Sequence, residues 1–349
     1  MKHINTFRGE MPLSKYKKIS PHEHLFIDLI HEAVEPADEE GKKLYHSKVS
    51  MEILGPLRRN PYIVRDNLVL SDKDDAVNEL KFLERHNVGL FVDLSCVGIE
   101  RNVDRLRYVS DHSKVDIVLG TGFYVHDTLN EEVCAMSVQE MADFMINEIE
   151  NGIDGSDIRA GIIGEIGVSE VIYPVERKAL LASAIAHKKT GLPVYIHTYP
   201  WSHAGLEAAN LLVENGVAPH NVCICHVDVT FDYDYLLEML KAGFYIEFDN
   251  FGKEFYFPPQ DGAFAGGPFA TDVERVRMLK KLISAGFGKQ LIVATDICLK
   301  ASLHKYGGWG YDHIFENIIP MMQQEGFTAE EIALIIEENP MRFLLQEAL

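Results

Sequence analysis

Ala160-Gly161-Ile162-Ile163-Gly164-Glu165-Ile166 is an apolar run interrupted by one carboxylate. After it come an amphipathic stretch of helical length at 174–190 and a second apolar run, Pro193-Val194-Tyr195-Ile196-His197. Two such strands joined by a helix read as a parallel crossover unit, because a near-continuous apolar strand must be covered on both faces. The same alternation recurs on either side. Further strands are expected at 18–24, 88–96, 116–123, 222–226, 244–248 and 290–295. Helical patterns fall at 72–85, 101–112, 138–151, 203–215, 232–242, 272–285, 311–325 and 328–338. Eight strand–helix units without a break in composition predict an α/β fold, a (β/α)8 TIM barrel, as a single domain over 1–349. A doubly wound sheet is the competing topology, but no glycine-rich phosphate loop follows the first strand. Two connections, 29–71 after strand one and 249–271 after strand seven, are longer than a simple link requires. Long loops after barrel strands lie on the C-terminal face, where substrates bind.

The composition bounds the function. The 349 residues carry 33 basic and 53 acidic side chains, a formal charge of −20, which disfavours nucleic acid or an anionic membrane as partner. A small-molecule substrate, even an anionic one, is compatible with that charge, since a few local cations outweigh a screened distant field. Five cysteines, an odd number, and the absence of an apolar leader in residues 1–20 point to a reducing, cytoplasmic setting. No apolar stretch reaches the length of a transmembrane helix.

The chemistry gathers at strand ends. In Pro21-His22-Glu23-His24-Leu25 the two imidazoles share a face and Glu23 points the other way, a pattern that is weak alone because two solvated histidines would look the same. His197 ends the fifth strand, His226 the sixth and Asp296 the eighth. Each is a metal-ligand type placed where barrel strands open onto the active face. Backbone-satisfied core histidines would account for one of them but not for the set. Glu165 is the lone charge in its strand; it either pairs with a base such as Arg159 or bridges two ions.

This constellation, with Thr121-Gly122-Phe123-Tyr124, His226-Val227-Asp228 and Glu338-Asn339-Pro340, resembles the phosphotriesterase family of the amidohydrolase superfamily across nearly the whole chain. The resemblance implies a binuclear hydrolase in which His22, His24 and Asp296 hold one ion, His197 and His226 the other, and Glu165 bridges them. Imidazole and carboxylate ligands suit zinc, with manganese, iron or cobalt as alternatives. A hydroxide shared by the ions would be the nucleophile and Asp296 the catalytic proton acceptor. Two departures separate this chain from the organophosphate-cleaving members: Glu165 replaces a carboxylated lysine, and Asn250 follows Asp249 where those enzymes have histidine. A glutamate bridge resembles the phosphotriesterase homology branch, which implies a lactonase on a small, phosphorylated sugar lactone. Phosphotriester or phosphodiester hydrolysis, and a non-catalytic metabolite-binding barrel, are the alternatives. Lys253, Lys300 and Lys305, with Arg275, are the candidates for holding an anionic substrate group. Relatives of this kind are commonly homodimers.

Overall fold

The computed structural model describes residues 2–257 and 266–349. Eight strands run in chain order through one sheet: β1 Lys18–Glu23, β2 Val88–Asp93, β3 Asp116–Thr121, β4 Ile162–Ile166, β5 Val194–Ile196, β6 Val222–Ile224, β7 Tyr245–Phe248 and β8 Leu291–Val293. Every paired neighbour is parallel. At the seam the Asp296 amide donates to the His22 carbonyl at 3.3 Å. The Glu23 carboxylate accepts from the amides of Thr295 and Ile297 at 3.1 and 3.0 Å, so a side chain ties the last strand to the first. The result is a nearly closed barrel with flanking helices, as expected from the alternating pattern.

The helices are α1 Lys73–Arg85, α2 Val103–His112, α3 Val138–Glu150, α4 Pro174–Thr190, α5 Ala204–Glu214, α6 Tyr233–Lys241 and α7 Asp272–Ser284. Their starts are written locally. Asp72 accepts from the amides of Asp74 and Asp75, and Ser137 and Thr271 form capping boxes with Glu140 and Glu274, satisfying amides that a helix leaves free. Strand residues alternate between two apolar layers. Val194, Ile196, Val222 and Ile224 pack under the helices, whereas Tyr195, Cys223, Cys225 and Tyr245 fill the barrel interior.

Several features were not anticipated from the sequence. A hairpin, His3–Thr6 with Gly9–Pro12, lies against the N-terminal end of the barrel, where the Asn5 amide donates to the Ala160 carbonyl at 2.9 Å. Phe343, from the last helix Asn339–Leu345, packs against Tyr195 and Tyr245 with ring centroids 5.0 and 5.1 Å away. That helix continues past the stop expected at 338, because the π-wound turn Leu334–Glu338 hands over at Asn339-Pro340, where the missing proline N–H falls in a first turn. The stretch 29–71 is more than a loop. Ile27–Asp28 pairs antiparallel with Val69–Leu70, and helices Glu39–Tyr45 and Leu54–Arg59 lie between them. Val49, Leu57 and Val64 form its own small core, against which Ala301 and Tyr306 pack. Within the other long connection, 249–271, residues 258–265 lie outside the described part of the chain. Among the described residues no helix is long and apolar enough to cross a membrane.

Candidate metal centre

Strand ends bring His22, His24, Glu165, His197, His226 and Asp296 to one place at the C-terminal mouth, all buried. Local backbone aims them. Gly164 has φ +124°, and a Cβ there would lie 2.6 Å from the Tyr195 carbonyl oxygen, so only glycine fits ahead of Glu165. His226 and Asp296 adopt left-handed backbone with φ 60° and 43°, uncommon for non-glycine residues and typical of functional sites.

Glu165 Oε1 lies 2.8 Å from His226 Nε2, 3.2 Å from His197 Nδ1 and 3.4 Å from His22 Nε2. Its other oxygen is 3.9 Å from His24 Nε2. The glutamate therefore stands between two imidazole sets and does not pair with Arg159, which reaches Glu10 at 3.5 Å. Asp296 Oδ1 is 3.1 Å from His24 Nε2 and 3.6 Å from His22 Nε2. Two triads have donor atoms within 4.8 Å of one another: His22, His24 and Asp296, and His22, Glu165 and His226. His197 Nδ1 joins the second at 2.8 Å from His226 Nε2.

The donors fit divalent metal ions. His22 Nε2 is buried without a hydrogen-bond partner while facing two carboxylates, and an orphaned buried nitrogen is costly unless something coordinates it. The opposite nitrogens are tied back. His22 Nδ1 lies 2.7 Å from Glu247 Oε2, His24 Nδ1 3.0 Å from Ser95 Oγ, and His226 Nδ1 3.0 Å from Asp249 Oδ1. Partners of this kind set the tautomer so that the remaining nitrogen presents its lone pair to a cation.

The charges follow the geometry. Burial raises the Asp296 carboxyl, but Lys253, whose ammonium donates to Asp296 Oδ2, and the imidazoles outweigh it and hold the group well below the usual range. Burial likewise opposes ionisation of Glu165, and His22, His197 and His226 overcome it. Glu247 goes the other way, pushed well up by burial.

The four cations expected to grip substrate divide. Lys253 lines the cavity over the site. Arg275 is fully buried elsewhere, its Nε 2.9 Å from Asp228 and its Nη1 2.9 Å from Asp272. Lys300 pairs with Asp66 at 2.9 Å and Lys305 with Asp75 at 2.7 Å, and neither lines the cavity. These three carry structural ion pairs in place of the expected clamp: Asp66 of the 29–71 stretch and Asp75 of α1 take the two lysines, and Asp228 after β6 with Asp272 of α7 takes Arg275. Glu247 and Asp249 were overlooked as orienting groups. The signal was present, since Glu247 is, like Glu165, a lone carboxylate in an apolar strand.

Among the described residues the cavity wall also carries Ile27, Leu29, Tyr62, Tyr124, Phe255 and Phe269, with Glu32, Thr198 and Asn250 as its further polar groups. Buried imidazoles and carboxylates converging under such a cavity at the mouth of a parallel barrel define a hydrolase acting on a small molecule. The chain belongs to the phosphotriesterase family, whose sequence model matches residues 2–344. It is 35% identical over 344 residues to the N-acetyltaurine hydrolase of Danio rerio, covering 98% of this chain and 97% of that protein. Among solved structures, a resiniferatoxin-binding protein from Rhodobacter sphaeroides superposes with a TM-score of 0.93 at 30% identity, covering 98% of this chain and 94% of that one. The phosphotriesterase homology protein from Escherichia coli, solved with phosphate in its active site, gives 0.76 at 29% identity, covering 94% and 99%.

Proposed function

We propose that this chain is a binuclear metal-dependent hydrolase of carboxylic acyl bonds, cleaving the amide of a small N-acylated amine that bears an acid group. The observation that carries this reading is the convergence of His22, His24, Glu165, His197, His226 and Asp296 beneath a cavity with no cluster of free cations on its wall among the described residues. Two divalent ions, zinc in the first instance, would supply Lewis acidity and lower the pKa of water from about 15.7 towards about 7. His22, His24 and Asp296 would hold one and His197 and His226 the other, with Glu165 shared. Asp296, kept ionised by Lys253 and the imidazoles, would accept a proton from the attacking water and return it to the departing amine. Tyr124 OH, 3.4 Å from His197 Nε2, borders the space for the acyl group. The similarity to proteins named for N-acetyltaurine, an acetamide of an aminoalkyl sulfonate, supports the amide as the bond cleaved.

A lactonase on an unphosphorylated sugar lactone is the second reading, favoured by a mixed wall on which aromatic side chains stand beside Glu32, Thr198 and Asn250. A phosphorylated lactone has less support, because Arg275, Lys300 and Lys305 are engaged elsewhere. Phosphotriester cleavage has little: Asn250 donates to Asp228 and Asp249 at 2.8 and 2.7 Å, which fixes two carboxylates and relays no proton. The test is an assay of the zinc- and manganese-loaded protein on N-acetyltaurine, N-acetyl amino acids, sugar lactones with and without phosphate, and an aryl phosphotriester. The acetamides are expected to turn over fastest. Rates on lactones that exceed them would replace the reading by the second, and a metal-free protein inert to all would leave the binding barrel. In the active protein Asp296→Asn is expected to keep its metals and lose at least about 100-fold in kcat, the scale of general acid–base catalysis. Metal analysis beside steady-state kinetics checks both halves.

A further inference from the structure

An acid group on the substrate requires a cation that is not already taken. Lys253 is held by Asp296, Lys300 by Asp66, Lys305 by Asp75 and Arg275 by Asp228 and Asp272. A second cavity adjoins the metal cavity. Phe255 and Leu299 line both. Its far side is built by Leu57 and Arg58 of helix Leu54–Arg59 and by Ser302 and Trp309 of the segment after β8.

Three donors that line it are unspent among the described residues. Arg58 is exposed and, among the described residues, has no ion pair or hydrogen bond. The Ser302 hydroxyl and the Trp309 indole N–H likewise have no protein acceptor among those residues. Trp309 is 56% exposed, although its ring stacks on His313 with centroids 5.1 Å apart. Among the described residues no aspartate or glutamate lines the cavity, in a chain whose formal charge is −20. A guanidinium can take two oxygens of a sulfonate or carboxylate side by side, and an indole edge adds a donor over an apolar floor.

We propose that this side cavity is the subsite for the acid end of the substrate, with Arg58 as its anion-binding residue and the acyl end under the metal centre. The substrate class is then a short amide whose amine portion ends in a sulfonate or carboxylate, which rests on the amide reading above.

The chain has two tryptophans, Trp201 and Trp309, so binding at Trp309 is followed by emission. The metal-loaded protein is titrated with 1-propanesulfonate and with propyl methyl sulfone, a neutral compound of similar shape. The sulfonate is expected to give a saturable change that is lost in Trp309→Phe. Arg58→Gln is expected to weaken it at least tenfold while moving the sulfone less than twofold, and Arg58→Lys to restore part of the loss. Equal affinity for the two compounds, no sulfonate binding, or a sulfonate affinity untouched in Arg58→Gln would overturn the subsite. Because no hydrolysis is read, failure of the amide assay with Arg58-dependent binding intact counts against the reaction alone. If N-acetyltaurine is hydrolysed, its kcat/KM relative to N-propylacetamide is expected to fall about tenfold in Arg58→Gln, through KM. An unchanged ratio would also overturn the proposal.

Discussion

At the scale of single residues, the site depends on atoms that touch no substrate. Glu247 takes His22 Nδ1 at 2.7 Å, which leaves Nε2 to face the candidate centre, and the second Glu247 oxygen is buried without a partner. A carboxyl in that position is costly to the fold, and the cost is met by orienting a ligand. Replacing it by Leu keeps the volume and leaves His22 free to turn. Glu247→Leu is therefore expected to weaken zinc affinity about 10- to 100-fold with the fold retained, the usual effect of losing an outer partner of a metal-binding histidine. Competitive chelator titration measures the affinity and circular dichroism the fold; wild-type affinity in the variant would mean that His22 is held by packing alone. The residues that meet at the candidate centre were legible because each is a polar side chain in or closing an apolar run. Glu247 carried the same mark, yet its role could not be read, since the partner that gives it meaning lies 225 positions away.

Secondary elements show the same division between local and distant information. The starts of α1, α3 and α7 could be placed because Asp72, Ser137 and Thr271 cap amides within three residues of themselves. The N-terminal hairpin could not, because what holds it is remote: Arg8 and Lys15 both donate to the Asp116 carboxylate at the start of β3, and Tyr16 OH donates to it at 2.7 Å. Burial raises this carboxyl, but Lys15, Tyr16 and Arg8 outweigh it and leave it below the ordinary range. A carboxyl depressed in the folded state adds stability that is present above its unfolded pKa, about 3.9, and fades as pH falls through the folded value. Asp116→Asn is expected to cost about 1–2 kcal/mol at pH 7, the scale of hydrogen bonds to a charged group discounted because Arg8 and Lys15 are partly exposed. The gap to wild type should narrow below about pH 4. Urea unfolding at pH 7 and pH 3.5 checks the sign; a gap that widens in acid would show that the carboxylate is not the stabilising form.

Over the whole molecule, the eightfold alternation made the barrel readable, while the contact between the 29–71 stretch and the segment after β8 was not. That contact pairs Lys300 with Asp66 and the Ala301 amide with Asn67, residues with no periodic relation in the chain. It builds the side cavity, and it diverts a lysine that looked free. The proposed metal centre also joins distant parts of the chain, because its candidate ligands come from β1, β4 and the ends of β5, β6 and β8. Ions bound there stabilise only the folded chain, whose unfolded form scatters those ligands over nearly its full length. With free zinc at about 100 times its dissociation constant the gain is about 2.7 kcal/mol per ion, which at an unfolding entropy of about 2.1 cal/mol/K per residue raises the melting temperature by roughly 4 °C for each. Calorimetry after chelation is expected to show that loss, and zinc added back to restore it together with activity. Because strands from early and late in the chain would share the ions, the transition should shift as a unit. A melt that splits, with only one part responding to zinc, would place the ligands in separately unfolding segments and remove the shared centre.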